Sequence, residues 1–117
     1  MQTYRDLIAW QKTFDLGLLA YDVAGSLPES ERFGLIASIR RLAYQVPSLI
    51  ADGYGQQNPA EYLRHLRNAR GDLYQLDTQM LFAVKRGYIP EEVHQGFSIR
   101  WDECIRVLAG LIRSIER

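Results

Sequence analysis

Four stretches of the chain place apolar residues every three or four positions, the spacing that lines one face of an α-helix. In the first, Leu7, Trp10, Phe14, Leu18 and Tyr21 form the stripe, flanked by Ile8, Leu19 and Val23. Arg5, Asp6, Gln11, Lys12, Asp15 and Asp22 fall largely on the other side, so the large aromatic stripe is expected to face the core. Gly25-Ser26-Leu27-Pro28 ends this segment, because proline cannot continue the hydrogen-bond ladder. The second stretch runs from about Glu31 to Gly53 on Leu35, Ile36, Ile39, Leu42, Ala43, Val46, Leu49 and Ile50, with Ser30 or the acids Glu29 and Glu31 placed to cap it. Pro47 interrupts the backbone pattern at a cost of about 3 kcal/mol. The segment is either two short helices broken at Gln45-Val46 or one helix kinked at Pro47. The apolar phase continues through Ile39, Leu42, Val46, Leu49 and Gly53, which favours the single kinked helix.

Gly53-Tyr54-Gly55-Gln56-Gln57-Asn58-Pro59 reads as a turn, with Asn58 as a cap and Pro59 at the first helical position. The third stripe is Tyr62, Leu63, Leu66, Ala69, Leu73, Leu76, Met80, Leu81 and Val84. Gly71 interrupts it at a cost of about 1 kcal/mol against alanine, for which close approach of a neighbouring helix is the expected reason. Gly87 is placed as a left-handed terminator before Tyr88-Ile89-Pro90. The last helix opens on Pro90-Glu91-Glu92 and carries Val93, Phe97, Trp101, Ile105, Leu108, Leu111, Ile112 and Ile115. Four such helices joined by short connections form antiparallel neighbours. The predicted fold is all-α, an antiparallel up-down-up-down four-helix bundle in one domain spanning residues 1–117.

Composition narrows the function. A formal net charge of +0 removes any global field toward nucleic acid or an anionic membrane, so electrostatic binding has to come from local clusters. No apolar run reaches the roughly 20 residues of a membrane span. The residues from Met1 to Asp6 lack the pattern of a secretory signal, and the single Cys104 cannot close an intrachain disulfide. A cytoplasmic location is expected. No nucleotide loop or dinucleotide fingerprint occurs, His65 and His94 fall on different helices, and Cys104 reads as a small packed hydrophobe. Neither an enzyme, nor a cofactor, nor a metal site is expected.

The arginines are the candidate chemistry. Arg32, Arg40, Arg41, Arg64, Arg67 and Arg70 lie on the two central helices, where Asp52 and Glu61 are the only acids between Arg32 and Arg70. Arg40, Arg41, Arg64, Arg67 and Arg70 with Tyr54 are therefore candidate contacts for nucleic acid or a partner, with Tyr44, Tyr54 and Tyr62 offering stacking surfaces. The competing reading is a solvated face with intersubunit ion pairs. Arg41 and Asp52 stand about 16 Å apart along one side of a helix, so each is expected to pair with a neighbouring helix or subunit. Tyr4 with Trp10, and Tyr88 with Trp101, suggest more apolar surface than one small bundle buries, and self-association as its outlet.

Several of these segments together resemble a known family. They are Asp6-Leu7-Ile8-Ala9-Trp10-Gln11-Lys12, Phe33-Gly34-Leu35, Ile39-Arg40-Arg41-Leu42-Ala43, Ile50-Ala51-Asp52-Gly53-Tyr54-Gly55 after Pro47-Ser48, Ala69-Arg70-Gly71 and Gly87-Tyr88-Ile89. The chain is similar over nearly its whole length to the small four-helix proteins encoded by intervening sequences in bacterial large-subunit ribosomal RNA genes. The resemblance implies an antiparallel bundle assembling as a homopentameric ring. It also implies kinship with accessory proteins of retroelement reverse transcriptases, and so structured RNA or a nucleic-acid enzyme as a partner. Most such proteins have no established activity. The chain departs from the pattern at Leu49, Asp52, Gln56, Asp72 and Gln75, and the missing positive charge at Gln56 weakens the nucleic-acid implication.

Overall fold

The computed structural model describes residues 3–117. Four helices carry the fold: α1 (Ile8–Ala24), α2 (Ala37–Gly55), α3 (Pro59–Lys85) and α4 (Glu91–Glu116). Each packs on the next, and α4 closes back against α1. The directions follow from contacts across the seams. Arg40 on α2 reaches back to Tyr21 on α1, His65 on α3 meets Asp52 on α2, and Arg67 near the start of α3 meets Glu116 at the end of α4. Successive helices therefore run antiparallel, in a body of 43 × 25 × 23 Å. The 27 residues of α3 account for the long axis at about 1.5 Å of rise each.

Local sequence sets the helix ends. The Thr3 hydroxyl accepts from the Arg5 amide while Asp6 accepts from the Thr3 amide, closing a short 3-10 turn before α1. Asn58 accepts from the Glu61 amide, with Pro59 first in α3. Gly87, at φ +74, takes the left-handed position after α3. The start of α2 departs from expectation. Glu29–Glu31 form a 3-10 turn and Arg32–Ile36 a wider π turn, so regular α-helix begins only at Ala37 rather than near Glu31. Gly34 lies outside helical geometry inside that turn (φ −108, ψ −106), and the Glu31 carboxylate accepts from the Leu35 amide to cap it.

α2 passes through Pro47 without a break, with Pro47 itself buried. The Ala43 carbonyl, four residues back, has no amide to accept from there. It lies instead where α1 comes closest: a Cβ built on Gly17 would collide with the Ala43 carbonyl oxygen and stand 3.2 Å from its carbon. The two helix backbones therefore touch at Gly17, and only a residue without a side chain permits it.

That close approach decides which face of α1 is buried. Ala9, Thr13, Leu16, Gly17, Ala20 and Ala24 point inward, while Phe14, Leu18 and Tyr21 are 41%, 55% and 43% exposed. The expectation that the large aromatic stripe faces the core is thus overturned. The core takes the small stripe, roughly 100° further round the helix, because helices this close have no room for Phe or Tyr between them. The Thr13 hydroxyl is satisfied within its own helix, donating to the Ala9 carbonyl at 2.8 Å. The other three helices bury most of what their patterns indicated, from Ile39, Leu42 and Ile50 through Leu66, Leu73 and Met80 to Phe97, Leu108 and Ile112, but Leu81, expected in the third stripe, is 44% exposed because it lies about 100° round α3 from the buried Met80.

Gly71 is a second correction. Nothing lies within 4 Å of a Cβ built there, so no neighbouring helix requires it. Gly71→Ala is expected to stabilise the fold by about 1 kcal/mol through helix propensity alone, measured as a shift of the urea midpoint at unchanged slope.

Candidate interaction surface

With the small residues inside, the aromatic side of α1 lies beside α2 as an open groove. Gly17, Ala43, Pro47 and Ala51 line it alongside Trp10, Phe14, Leu18, Tyr21 and Tyr44, enclosing about 260 Å³. Tyr4 packs edge-on against Trp10 at 5.2 Å between ring centroids, and Trp10 stacks on Phe14 at 4.8 Å. The Arg40 guanidinium lies 4.4 Å from the centre of the Tyr21 ring while its Nε donates to the Tyr21 carbonyl. The groove is thus a layer of rings held in place by one another and by a cation, with no cover from the other described residues.

The candidate residues read from sequence do not form one patch. Arg40 is committed to α1. Arg64 makes a two-toothed ion pair with Glu61 at 2.9 and 3.1 Å, and Arg67 meets Glu116 at 2.7 Å. Arg41 is exposed and Arg70 partly so, and neither is in an ion pair among the described residues. Tyr54 sits against Tyr62 at 6.1 Å, edge to face, beside a shallow recess that includes Asn58, Pro59 and Ile115. Tyr88 and Trp101 are tied inward, the Tyr88 hydroxyl to Glu31 and the Trp101 Nε1 to the Leu73 carbonyl.

One contact was not legible as a site. His65, on α3, is 6% exposed. Its Nδ1 lies 2.7 Å from the Glu61 carbonyl and its Nε2 3.0 Å from the Asp52 carboxylate. Both ring nitrogens thus face acceptor oxygens, one on its own helix and one on α2. The expectation that Asp52 pairs with a neighbouring helix holds here. Gly53 makes room for this pair, since a Cβ there would stand 2.7 Å from the His65 Cβ. The arrangement clamps α2 to α3 near their shared turn.

Charge at this end has a definite sign. A hydrogen bond from Gln56 foremost, backed by the His65 contact and the Arg64 charge, holds the Asp52 carboxyl below its usual range against the opposing cost of desolvation. Arg64 does the same to Glu61. A carboxylate depressed in the fold adds stability above its ordinary value and loses it as pH falls through the depressed one. Amide protection around Gly53 and His65 is therefore expected to weaken below about pH 4, and Asp52→Ala to flatten that part of the dependence. Asp72 and Asp77 go the other way, raised by burial.

Among the described residues no three His, Cys, Asp or Glu side chains gather as a metal site, although Glu91 and His94 stand three apart on α4. No helix is long and apolar enough to cross a membrane. No curated protein matches the chain. The profile of the 23S rRNA-intervening sequence proteins matches residues 5–110, across all four helices, and the chain belongs to that family.

Proposed function

We propose that the protein is a non-enzymatic, homo-oligomeric scaffold or binding module of the cytoplasm, assembled through the α1–α2 groove. The observation that carries this reading is the outward face of α1. Phe14, Leu18 and Tyr21, with Tyr44 at 57% exposure on α2, leave aromatic surface uncovered in a chain whose core is already closed. Contiguous apolar surface of this kind marks an interaction site in a soluble domain. The stoichiometry we propose is a ring of five, as the family resemblance implies. Light scattering is expected to give a mass about five times that of the chain. A mass equal to the single chain over the working concentration range sinks the reading.

A second reading adds structured RNA, or an enzyme acting on nucleic acid, as the partner of the assembled module. Arg41 and Arg70 support it, as central arginines in no ion pair among the described residues. Repeated around a ring, they would concentrate positive charge that one neutral chain does not have. Binding to a structured RNA is expected to weaken steeply with added salt and to drop in Arg41→Glu and Arg70→Glu. Affinity no better than that of a neutral control protein at low salt excludes this partner and leaves the scaffold reading standing.

A further inference from the structure

The α3–α4 seam carries charge that its own chain does not neutralise. On α3, Arg67, Arg70, Tyr74 and Leu81 follow one another at helical spacing along one side. That side faces α4, because Arg67 meets Glu116 and Tyr74 packs edge-on against Trp101 at 5.4 Å. On α4, Ile99, Arg106 and Arg113 recur every seven residues in a second line, all exposed. Glu116, the partner of Arg67, is three residues after Arg113, so both lines border the same seam. The helices are antiparallel, and Trp101 stands opposite Tyr74. Arg106 and Arg113 therefore fall toward Arg70 and Arg67, and Ile99 falls toward Leu81. The seam is basic over one half and apolar over the other.

The acids nearby do not cancel the basic half. Glu116 is taken by Arg67. Asp102 and Asp77 mark the start of the apolar half, close enough for Asp102 to add to the rise that burial gives the Asp77 carboxyl. On the α1 side of α4, Lys12 and Arg100 share a recess with Asp15 and Glu103, two charges of each sign. Arg70, Arg106 and Arg113 are left in no ion pair among the described residues. Arg113 is not spent on the end of its own helix either. Its Nη2 lies 3.9 Å from a Cβ built on Gly110, one turn back along α4 and away from the last carbonyls, which an arginine here would otherwise complement.

We infer that this seam docks a helical segment of another protein, acidic over one half and aliphatic over the other. Carboxylates fit Arg70, Arg106 and Arg113, and aliphatic side chains fit Ile99 and Tyr74, which are 72% and 53% exposed. Asp77 and Asp102 fix the register, since the segment carries no acid opposite them and a lysine there is favoured. From Ile99 to Arg113 the seam runs about 21 Å, or four turns of a docked helix. A phosphate backbone matches the arginine half only, and beyond it meets Asp102, Asp77 and bare aliphatic surface. α4 of a second copy is a poor fit, because its outward line offers Ile99 alone between Glu92 and Asp102. The helices pack in the cyclic order α1, α2, α3, α4, which sets the seam opposite the α1–α2 groove. Docking here therefore depends neither on assembly through the groove nor on RNA.

The probe is a fluorescent, end-capped helical peptide of about four turns, with glutamates over its first half and leucines with a lysine over its second. Anisotropy is expected to show binding that weakens with salt and vanishes when the same residues are scrambled. The double variant Arg106→Glu with Arg113→Glu is expected to weaken it about tenfold, since each reversal exchanges an attraction for a repulsion. Ile99→Ser is expected to weaken it severalfold. All three positions are exposed, and circular dichroism melting confirms the fold, with Arg106→Gln and Arg113→Gln as replacements if the reversals unfold. Equal affinity for the scrambled peptide, or for one with glutamine in place of glutamate, overturns the docking. Tighter binding of a single-stranded RNA of the same charge, lost in the same double variant, overturns it in favour of nucleic acid. If the double variant instead lowers the mass by light scattering, the seam is a subunit contact, and docking of a foreign helix is wrong while self-association survives. An unaltered protein that is monomeric and still binds the peptide supports the docking and removes the assembly.

Discussion

Gly17→Ala is expected to destabilise the bundle by about 3 kcal/mol, the upper part of the range for forcing a methyl group into a packed interior. The new Cβ would point at the Ala43 carbonyl, which is backbone and cannot swing aside as a side-chain tip would. Relief requires α1 to move away from α2 along its length, which loosens Ala20 and Ala24 against Ile39 and Val46 in the same core. The effect links two residues distant in sequence. Pro47 withholds the amide that would otherwise occupy the Ala43 carbonyl, and Gly17 lets α1 approach that oxygen where any side chain would collide with it. Urea denaturation compares the variant with Gly71→Ala, the same change at a site with nothing to meet. Loss at one position and gain at the other is the expected pair of results. Equal effects at both would mean that helix propensity, not the seam, governs these glycines. The groove floor includes Gly17, Ala43 and Pro47, so Gly17→Ala is also expected to weaken assembly.

How much of this was legible in the sequence depended on whether a helix had one apolar face or two. α2, α3 and α4 each bury the main stripe of their pattern, Leu81 apart, and Leu42, Leu73 and Leu108 fell where their periodicity put them. Helical phase through Pro47 was enough to keep α2 whole. In α1, side-chain size was a misleading guide. Ala9, Thr13, Gly17, Ala20 and Ala24 make a small-residue stripe at the same spacing as the aromatic one, and it is the small stripe that suits a close helix pair. The signal was present, in Gly17 at the centre of that stripe, but transfer free energy alone ranks Phe14 and Tyr21 above it. The π turn at Arg32–Ile36 had no such signal, since it follows from the unusual backbone of Gly34 and a cap by Glu31. The His65–Asp52 clamp was hidden because its partners lie on different helices, and its geometry depends on how α2 and α3 meet at Gly53. The arginines were found by composition, yet their pairing with Glu61 and Glu116 depends on rotation about each helix axis, which composition does not contain.

Cys104 is expected to react with a soluble thiol reagent about a thousandfold more slowly in the folded protein than in denaturant at the same mildly alkaline pH. The side chain is 1% exposed, in the core with Leu16, Phe97 and Leu108. Burial first, and then the neighbouring Glu103 carboxylate, push its thiol up to about 12, with Lys12 offsetting a little. The thiolate is the reacting species, so its population alone accounts for the factor. Exclusion of the reagent acts in the same direction, and what labelling remains reports opening of the helix pair around α4. A folded-state rate close to that in denaturant would mean that α4 leaves the bundle readily. The same shift carries a sign for stability. The thiol is raised in the fold, so its contribution is whole below the ordinary thiol range and is lost as pH rises toward about 12. The Tyr62 phenol, raised by burial and by the nearby Tyr54, adds to that loss. Alkaline unfolding is therefore expected to begin from the inside of the bundle, with Cys104 labelling and loss of helicity rising together. Labelling that runs well ahead of helicity would instead place the first opening at α4 alone.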